Sequence, residues 1–200
     1  MRRVAFAVMA VLLCAGLSAG LGACSTRDPY VATPATTTSG NWKIEKQVDR
    51  VTGIPVPSAT NVIDNASNTF AERPGVASMQ LTCFDEQPLV RFAFAFKVGT
   101  DTNSILGYRF DEKPGHDNVA SRFLQEHRTV VIEDRAAVIT FVNELAASST
   151  LVVRLRSLTG GRTTADFKLD GAPAAIEAAF AGCPLPPQPE AKKKKRGAEA

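Results

Sequence analysis

The sequence contains few of the residues from which catalytic and metal sites are usually built. It has two histidines, one tryptophan and four cysteines in 200 residues. It also lacks the Gly-x-Ser-x-Gly elbow, the His-Glu-x-x-His motif, a phosphate-binding glycine loop and Cys-x-x-Cys. The recognisable forms of serine hydrolases, zinc proteases, P-loop enzymes and dithiol oxidoreductases are therefore excluded. We predict no catalytic residue, no metal and no cofactor.

The sequence also shows no surplus of basic residues in the part that should fold. Residues 24–189 hold 16 lysines and arginines against 18 acidic residues, whereas residues 190–200 hold five basic and two acidic residues. The overall net charge of +3 therefore comes from the two ends of the chain. Because nucleic-acid binders present a basic face, we predict that the domain has none and that nucleic acid is not a partner.

The N-terminus has the pattern of an export signal that ends at a cysteine. Arg2 and Arg3 precede an uncharged run over residues 4–23. The closing residues Leu21-Gly-Ala-Cys24 resemble the lipobox of bacterial lipoproteins. This resemblance implies cleavage before Cys24 and lipid attachment to its thiol. An uncleaved transmembrane helix and an ordinary secretory signal are the alternatives.

Composition divides the chain into four parts. Residues 1–23 form the signal peptide, and residues 24–40, rich in Thr, Ala and Pro, form a flexible tether from the lipidated cysteine. Residues 41–185 form a single β-rich domain. Residues 186–200, rich in proline and lysine, form a disordered tail. Ser25 is not the aspartate that marks inner-membrane retention, so we predict a periplasm-facing protein in the outer membrane rather than the inner membrane.

Alternating apolar residues predict that most of the domain consists of strands. The clearest strand contains Met79, Leu81 and Cys83, and the next is predicted to run from Val90 through Phe94 to Val98. Helical spacing instead predicts short packed helices near 135–147 and 172–182, the first capped by Asp134. We predict a mainly β (α+β) fold, an antiparallel β-sandwich or open barrel of about seven or eight strands.

Cys83 and Cys183 are the two cysteines that follow Cys24. Export would place them in an oxidising compartment, where cysteine pairs persist as disulfides. Two buried free thiols and a metal site are the alternatives. Two cysteines without a nearby pair of histidines make a poor zinc site. A structural disulfide is the favoured interpretation.

The sequence Tyr108-Arg-Phe-Asp111 is the polar pattern that stands out. We predict Tyr108, Arg109 and Asp111 as candidate binding residues. On a strand, Arg109 and Asp111 would project from the face opposite Tyr108 and Phe110. An exposed ion pair there would contribute only about 0–1 kcal/mol, whereas a partly covered arginine can hold a carboxylate in bidentate fashion. An internal structural role is favoured over a binding role.

The two histidines lie in segments predicted to be loops or short connections. His116 follows Gly115, and His127 lies between Glu126 and Arg128. Either imidazole can act as a general base if a serine or a water molecule lies within hydrogen-bonding reach. A solvated histidine without a catalytic role is the simpler interpretation.

A set of short motifs resembles the VasI-type periplasmic proteins, which are accessory proteins associated with type VI secretion. The motifs span residues 42–183 and include Trp42, Asp49-x-x-Thr-Gly53, Leu81-x-Cys-Phe84, Tyr-Arg-Phe-Asp (108–111), Phe141-Val-x-x-Leu145, Leu151-Val-Val-Arg-Leu155, Ala165-x-Phe-x-Leu169 and Gly171 through Ala175-Ile176 to Cys183. The resemblance implies a β-rich fold and an accessory role. It implies no catalytic residues.

These observations favour a non-enzymatic cell-envelope lipoprotein. Its lipid anchor would attach it to the membrane, and its domain would serve as a periplasmic binding or accessory module. The expected partner is an envelope protein or peptidoglycan. The alternative is an envelope hydrolase or enzyme inhibitor that uses a cleft around Arg109 and His116.

Overall fold

The structure of the protein, a computed structural model, describes residues 31–124 and 126–185. Strands predominate in these residues, and two helices accompany them. The elements are β1 (Val31–Ser39), β2 (Trp42–Asp49), β3 (Pro55–Asn68), β4 (Gly75–Phe84), β5 (Gln87–Phe94), β6 (Ser104–Phe110), β7 (His116–Val119), β8 (Arg122–Leu124), β9 (Thr129–Ile132), α1 (Arg135–Ala146), β10 (Thr150–Ser157), β11 (Gly161–Lys168) and α2 (Ala172–Ala179).

The strands form one curled antiparallel sheet that resembles half of a barrel. Nine of them follow the order β7-β6-β10-β11-β3-β4-β5-β9-β8, and β2 joins the sheet through β3 and carries β1. The long strand β3 connects two halves of the sheet, with β7, β6, β10 and β11 on one side and β4, β5, β9 and β8 on the other. Its first part pairs with β2, while Ser67 and Asn68 pair with β11. The predicted mainly β fold is confirmed. The strand predicted to continue to Val98 instead ends at Phe94.

The tether predicted over residues 24–40 is wrong for residues 31–39. That segment forms β1, which pairs antiparallel with β2 so that Thr37 lies opposite Ile44. Threonine favours strands, and backbone pairing at a sheet edge needs no buried apolar side chain. Residues 24–30 lie outside the described part of the chain, as do the predicted signal peptide, Cys24 and the predicted tail.

Both helices lie where the sequence predicts them and pack against the sheet. Helix α1 buries Val138, Phe141, Val142 and Leu145 in the core. Asp134 caps it as predicted, since its side chain accepts a hydrogen bond of 2.9 Å from the Ala137 N–H. Among residues 31–124 and 126–185, neither helix has the length and apolar character that a membrane crossing requires.

The disulfide predicted between Cys83 and Cys183 is present. The Cα atoms lie 6.0 Å apart, within the range that a bridge requires. Cys83 lies near the end of β4, and Cys183 follows α2, so the bridge ties the end of the domain to the middle of the sheet. Both cysteines are buried in the core.

Candidate functional site

The candidate site is a cleft of about 300 Å³ on the outer face of the sheet, where β6, β7 and β10 meet. We call it the Arg109 cleft. Its walls come from the short edge strand β7, from the loop before it and from two neighbouring strands. Its lining residues are Gly107, Tyr108, Arg109, Gly115, His116, Asp117, Val152 and Arg154.

Strand alternation explains why arginines line this cleft. Leu106, Tyr108 and Phe110 of β6 point into the core, so Arg109 points outward. The same alternation turns Val152 and Arg154 of β10 outward, because Leu151, Val153 and Leu155 are buried. Antiparallel pairing places Val152 opposite Arg109 and Arg154 opposite Gly107. The cleft therefore arises directly from strand pairing.

Gly107 lets β7 approach β6 closely at the cleft. A Cβ atom on residue 107 would lie 2.9 Å from Asp117 Oδ1 and 2.9 Å from the His116 carbonyl oxygen. Any larger side chain would therefore push β7 outward. The position of Asp117 beside the two arginines of β10 depends on this small residue.

Asp117 is the internal counter-ion of the site. Its carboxylate accepts hydrogen bonds from Arg154 Nη2 at 3.2 Å and from Arg156 Nη2 at 2.6 Å. Desolvation opposes ionisation of Asp117, but the charge and hydrogen bond of Arg156, assisted by Arg154, outweigh it and lower the pKa of the carboxyl. Asp117 is consequently ionised at neutral pH and balances part of the positive charge.

Arg109 has a weaker partner than the other arginines of the site. Among the described residues it forms an ion pair with Glu112 at 4.0 Å, and the Glu112 side chain is 94% exposed. An exposed pair of this kind contributes little to stability. The guanidinium can therefore turn towards a ligand in the cleft without losing a strong internal contact.

Asp111 does not share the cleft with Arg109. Its backbone has a φ of 48°, so the chain leaves the strand there and the predicted common face is lost. Its carboxylate instead accepts hydrogen bonds from the N–H of Ser149 at 3.0 Å and from the N–H and hydroxyl of Thr150 at 2.8 and 3.1 Å. Asp111 therefore fixes the start of β10, which is a structural role within the domain.

The ionised form of Asp111 is expected to stabilise the fold. The Thr150 N–H is the main cause of its lowered pKa; burial opposes this effect and the Ser149 N–H reinforces it. Because the folded-state pKa lies below the unfolded value of about 3.9, the contribution is present above that pH and disappears as pH falls through the folded pKa. Asp111→Asn keeps an oxygen acceptor but removes the charge. In urea unfolding, the variant should be less stable than the wild type at neutral pH, and the difference should shrink on acidification.

An effect of equal size in Asp166→Asn would contradict this account. Asp166 is an exposed acidic residue of β11. Because its side chain is exposed, its substitution should change the free energy of unfolding by less than about 0.5 kcal/mol.

Tyr108 contributes to the wall of the cleft from within the core. Its side chain is buried, and its ring lies 5.0 Å from that of Phe141 and 5.6 Å from that of Phe110, measured between centroids. Burial, followed by the negative charge of Glu144, raises the pKa of Tyr108 to about 12. The phenol is therefore neutral at physiological pH. Among the three predicted binding residues, only Arg109 presents a charged group to the cleft.

His116 belongs to β7, although the sequence suggested a solvated loop. Its ring lies 4.6 Å from the Tyr108 ring, and its Nε2 lies 2.7 Å from Glu144 Oε1 on α1. The imidazole thus connects the edge strand to the helix layer. His127 is exposed in a turn, as expected of a solvated histidine.

Replacing His116 is expected to destabilise the domain moderately. His116→Ala removes one hydrogen bond and one ring contact, which together should lower the free energy of unfolding by about 1–3 kcal/mol. His127→Ala is the matched control and should change it by less than about 0.5 kcal/mol. Equal losses in the two variants by urea unfolding at pH 7 would contradict the structural role of His116.

Local sequence patterns do not predict Gly107, Asp117, Arg154 or Arg156 as site residues. A signal was present for the two arginines, because they are separated by two positions within an apolar alternation. Alternation alone places both on one outer face. It does not indicate that β6 and β7 lie beside that face.

Comparison with known proteins supports the fold and gives no family. No protein-family model matches the chain, and no curated protein matches it. Among solved structures, the crystal structure of invasion associated protein B from Bartonella henselae is similar, with a TM-score of 0.50 and 16% sequence identity. The match covers 74% of this chain and 95% of that chain. The likeness is one of fold. No comparison supports the resemblance to VasI-type proteins.

Proposed function

We propose that this protein is a non-enzymatic lipoprotein of the bacterial cell envelope that binds an anionic group of an envelope partner in the Arg109 cleft. The observation that carries the proposal is the position of Arg109, which lines an open cleft beside Arg154 and has only a long ion pair among the described residues. An accessory role in type VI secretion is the finer form of this proposal, and it rests on the sequence motifs alone.

The cleft suits reversible binding of a carboxylate or phosphate. The side chains of Arg109 and Arg154 are 49% and 45% exposed, so a ligand can reach both without a large conformational change. A guanidinium offers a planar fork of donors that matches either anion. Because the site is only partly desolvated, each contact should be of moderate strength and sensitive to salt.

Binding accounts better for the geometry than catalysis does. The described contacts of His116 are with Glu144 and Tyr108, and both contacts fix the edge strand β7 against the rest of the domain. The same His116–Glu144 pair is the observation that favours the second candidate, an envelope hydrolase or enzyme inhibitor. Release of soluble fragments from peptidoglycan by the wild type, but not by a folded His116→Asn variant, would establish that candidate and overturn ours. We expect no release from either.

The disulfide supports the proposed location. Cysteine pairs persist as disulfides outside the reducing cytosol, and Cys83 and Cys183 are bridged. A lipid on Cys24 would then hold the domain at the membrane surface. Metabolic labelling with a fatty acid should be blocked by globomycin and absent in Cys24→Ala, whereas Cys14→Ala should label normally. Labelling that survives in Cys24→Ala would contradict lipidation there.

The ligand-binding part of the proposal is tested by retention on envelope material. The full-length protein is incubated with purified peptidoglycan sacculi and, separately, with immobilised envelope proteins. Arg109→Ala should reduce retention about tenfold, since a charge-assisted hydrogen bond contributes about 1.5–3 kcal/mol. The matched control is Lys46→Ala, an exposed basic residue of β2. Retention that falls equally in both variants, or in neither, would contradict a role for the cleft.

A further inference from the structure

The outer face of the sheet around the cleft carries more positive charge than the composition suggests. Residues that point outward from β6, β10 and β11 alternate with the buried ones. We call this surface the basic face. Its basic residues are Arg109, Arg154, Arg156, Arg162 and Lys168, and its acidic residues are Asp166, Asp117 of β7 and Glu112, which follows β6 and pairs with Arg109.

Charge is strongly segregated between the basic face and the rest of the domain. The face holds five basic and three acidic residues, whereas the remainder of residues 31–185 holds ten basic and fourteen acidic residues. The expectation that the domain lacks a basic face, drawn from its net charge, is therefore wrong. A domain whose net charge is near zero can still have a positive surface when its acidic residues lie elsewhere. Such a surface attracts and orients negatively charged partners.

The arrangement of the arginines carries an electrostatic cost in the free protein. Arg156 lies directly opposite Arg162 in the antiparallel register, and like charges at such positions are destabilising. Arg154 and Arg156 project from the same face two residues apart, which corresponds to about 6.8 Å along a strand. Asp117 relieves only part of this repulsion, through its hydrogen bonds to Arg154 and Arg156. A bound anion would relieve the rest.

We propose that the basic face binds an acidic segment of a partner polypeptide in extended conformation. Alternate side chains of an extended peptide lie about 6.8 Å apart, so two carboxylates separated by one residue match the spacing of Arg154 and Arg156. The proposal rests on the proposed function and names its ligand class. The Arg109 cleft would receive one of the carboxylates.

The composition of the face favours a polypeptide ligand. Four of its five basic residues are arginines, and arginine is enriched in protein–protein interfaces while lysine is depleted. Ile105 and Val152 lie among the arginines, and Ile105 is partly exposed. They offer apolar contact to the methylene groups of the acidic side chains, which point to the same face of the peptide as their carboxylates.

The test measures binding of a fluorescent peptide with alternating glutamate and serine by anisotropy. The lysines of the tail, residues 192–195, are changed to glutamine in every protein so that the tail cannot produce the signal. The glutamate peptide should bind at least tenfold more tightly than its glutamine counterpart. Arg154→Gln combined with Arg156→Gln should weaken binding at least tenfold. Lys46→Ala combined with Arg73→Ala, two exposed basic residues outside the face, should change it less than twofold.

Several results would overturn this inference. They are equal binding of the two peptides, an equal effect of the two double variants, and a preference for polyphosphate or lipopolysaccharide with no binding of the glutamate peptide. Thermal unfolding of each variant establishes that it is folded, and Arg109→Ala provides a second variant with a smaller change. If the peptide does not bind while Arg109→Ala still reduces retention on envelope material, the inference fails and the proposed function stands.

Discussion

Removing the Cys83–Cys183 disulfide is expected to destabilise the domain by about 4–5 kcal/mol, or somewhat less if the reduced chain retains structure. The bridge joins residues 100 positions apart, so it closes a long loop and strongly restricts the unfolded chain. It also fixes the segment after α2 against the end of β4. Loss of the bridge should lower the free energy of unfolding more than any single exposed substitution.

The comparison of four proteins isolates the bridge from the packing of the two residues. Cys83→Ala, Cys183→Ala and the double variant are unfolded in urea beside the wild type. All three variants should lose nearly the same stability, because either substitution alone eliminates the bridge. Reduced wild-type protein should have a free energy of unfolding close to that of the three variants. Losses that simply add in the double variant would show that the cysteines act as separate buried side chains.

Phe141→Ala is expected to lower the free energy of unfolding by about 3–5 kcal/mol. Phe141 is fully buried on α1, and its ring contacts those of Phe92, Tyr108 and Phe110 at centroid distances of 5.9, 5.0 and 5.1 Å. The substitution would leave a cavity where α1 meets both halves of the curled sheet. Edge-to-face ring pairs would be lost as well.

The matched control is Phe70→Ala, since Phe70 is 72% exposed. The same chemical change at that position should alter stability by less than about 1 kcal/mol. Chemical unfolding followed by circular dichroism measures both. A loss at Phe141 no greater than the loss at Phe70 would contradict the placement of α1 in the core.

Alternation and helical spacing predict much of this fold because burial imposes them. Met79, Leu81 and Phe92 are fully buried, as the patterns around them indicate. Strand β1 could not be found this way, because its exposed threonines are held by backbone pairing with β2. Pairing depends on a partner strand and leaves no periodic apolar signal.

The site could be predicted only in part, because it depends on which strands become neighbours. Arg109 and Arg154 share the cleft although 45 positions separate them in the sequence. Their proximity follows from the pairing of β6 with β10, which local patterns do not specify. The role of Asp111 was hidden as well, because its positive φ redirects the side chain towards β10. The separation of basic from acidic residues on the surface likewise depends on which strands become neighbours.

Site-specific photo-crosslinking in living cells tests the central claim, that the Arg109 cleft binds an envelope partner. A photoreactive amino acid replaces Val152, which lines the cleft, or Val62, which is 59% exposed on β3 outside it. We expect a discrete crosslinked product from position 152 that disappears when Arg109→Ala is added, and none from position 62. The absence of a product at 152, or an equal product at 62, would contradict the account.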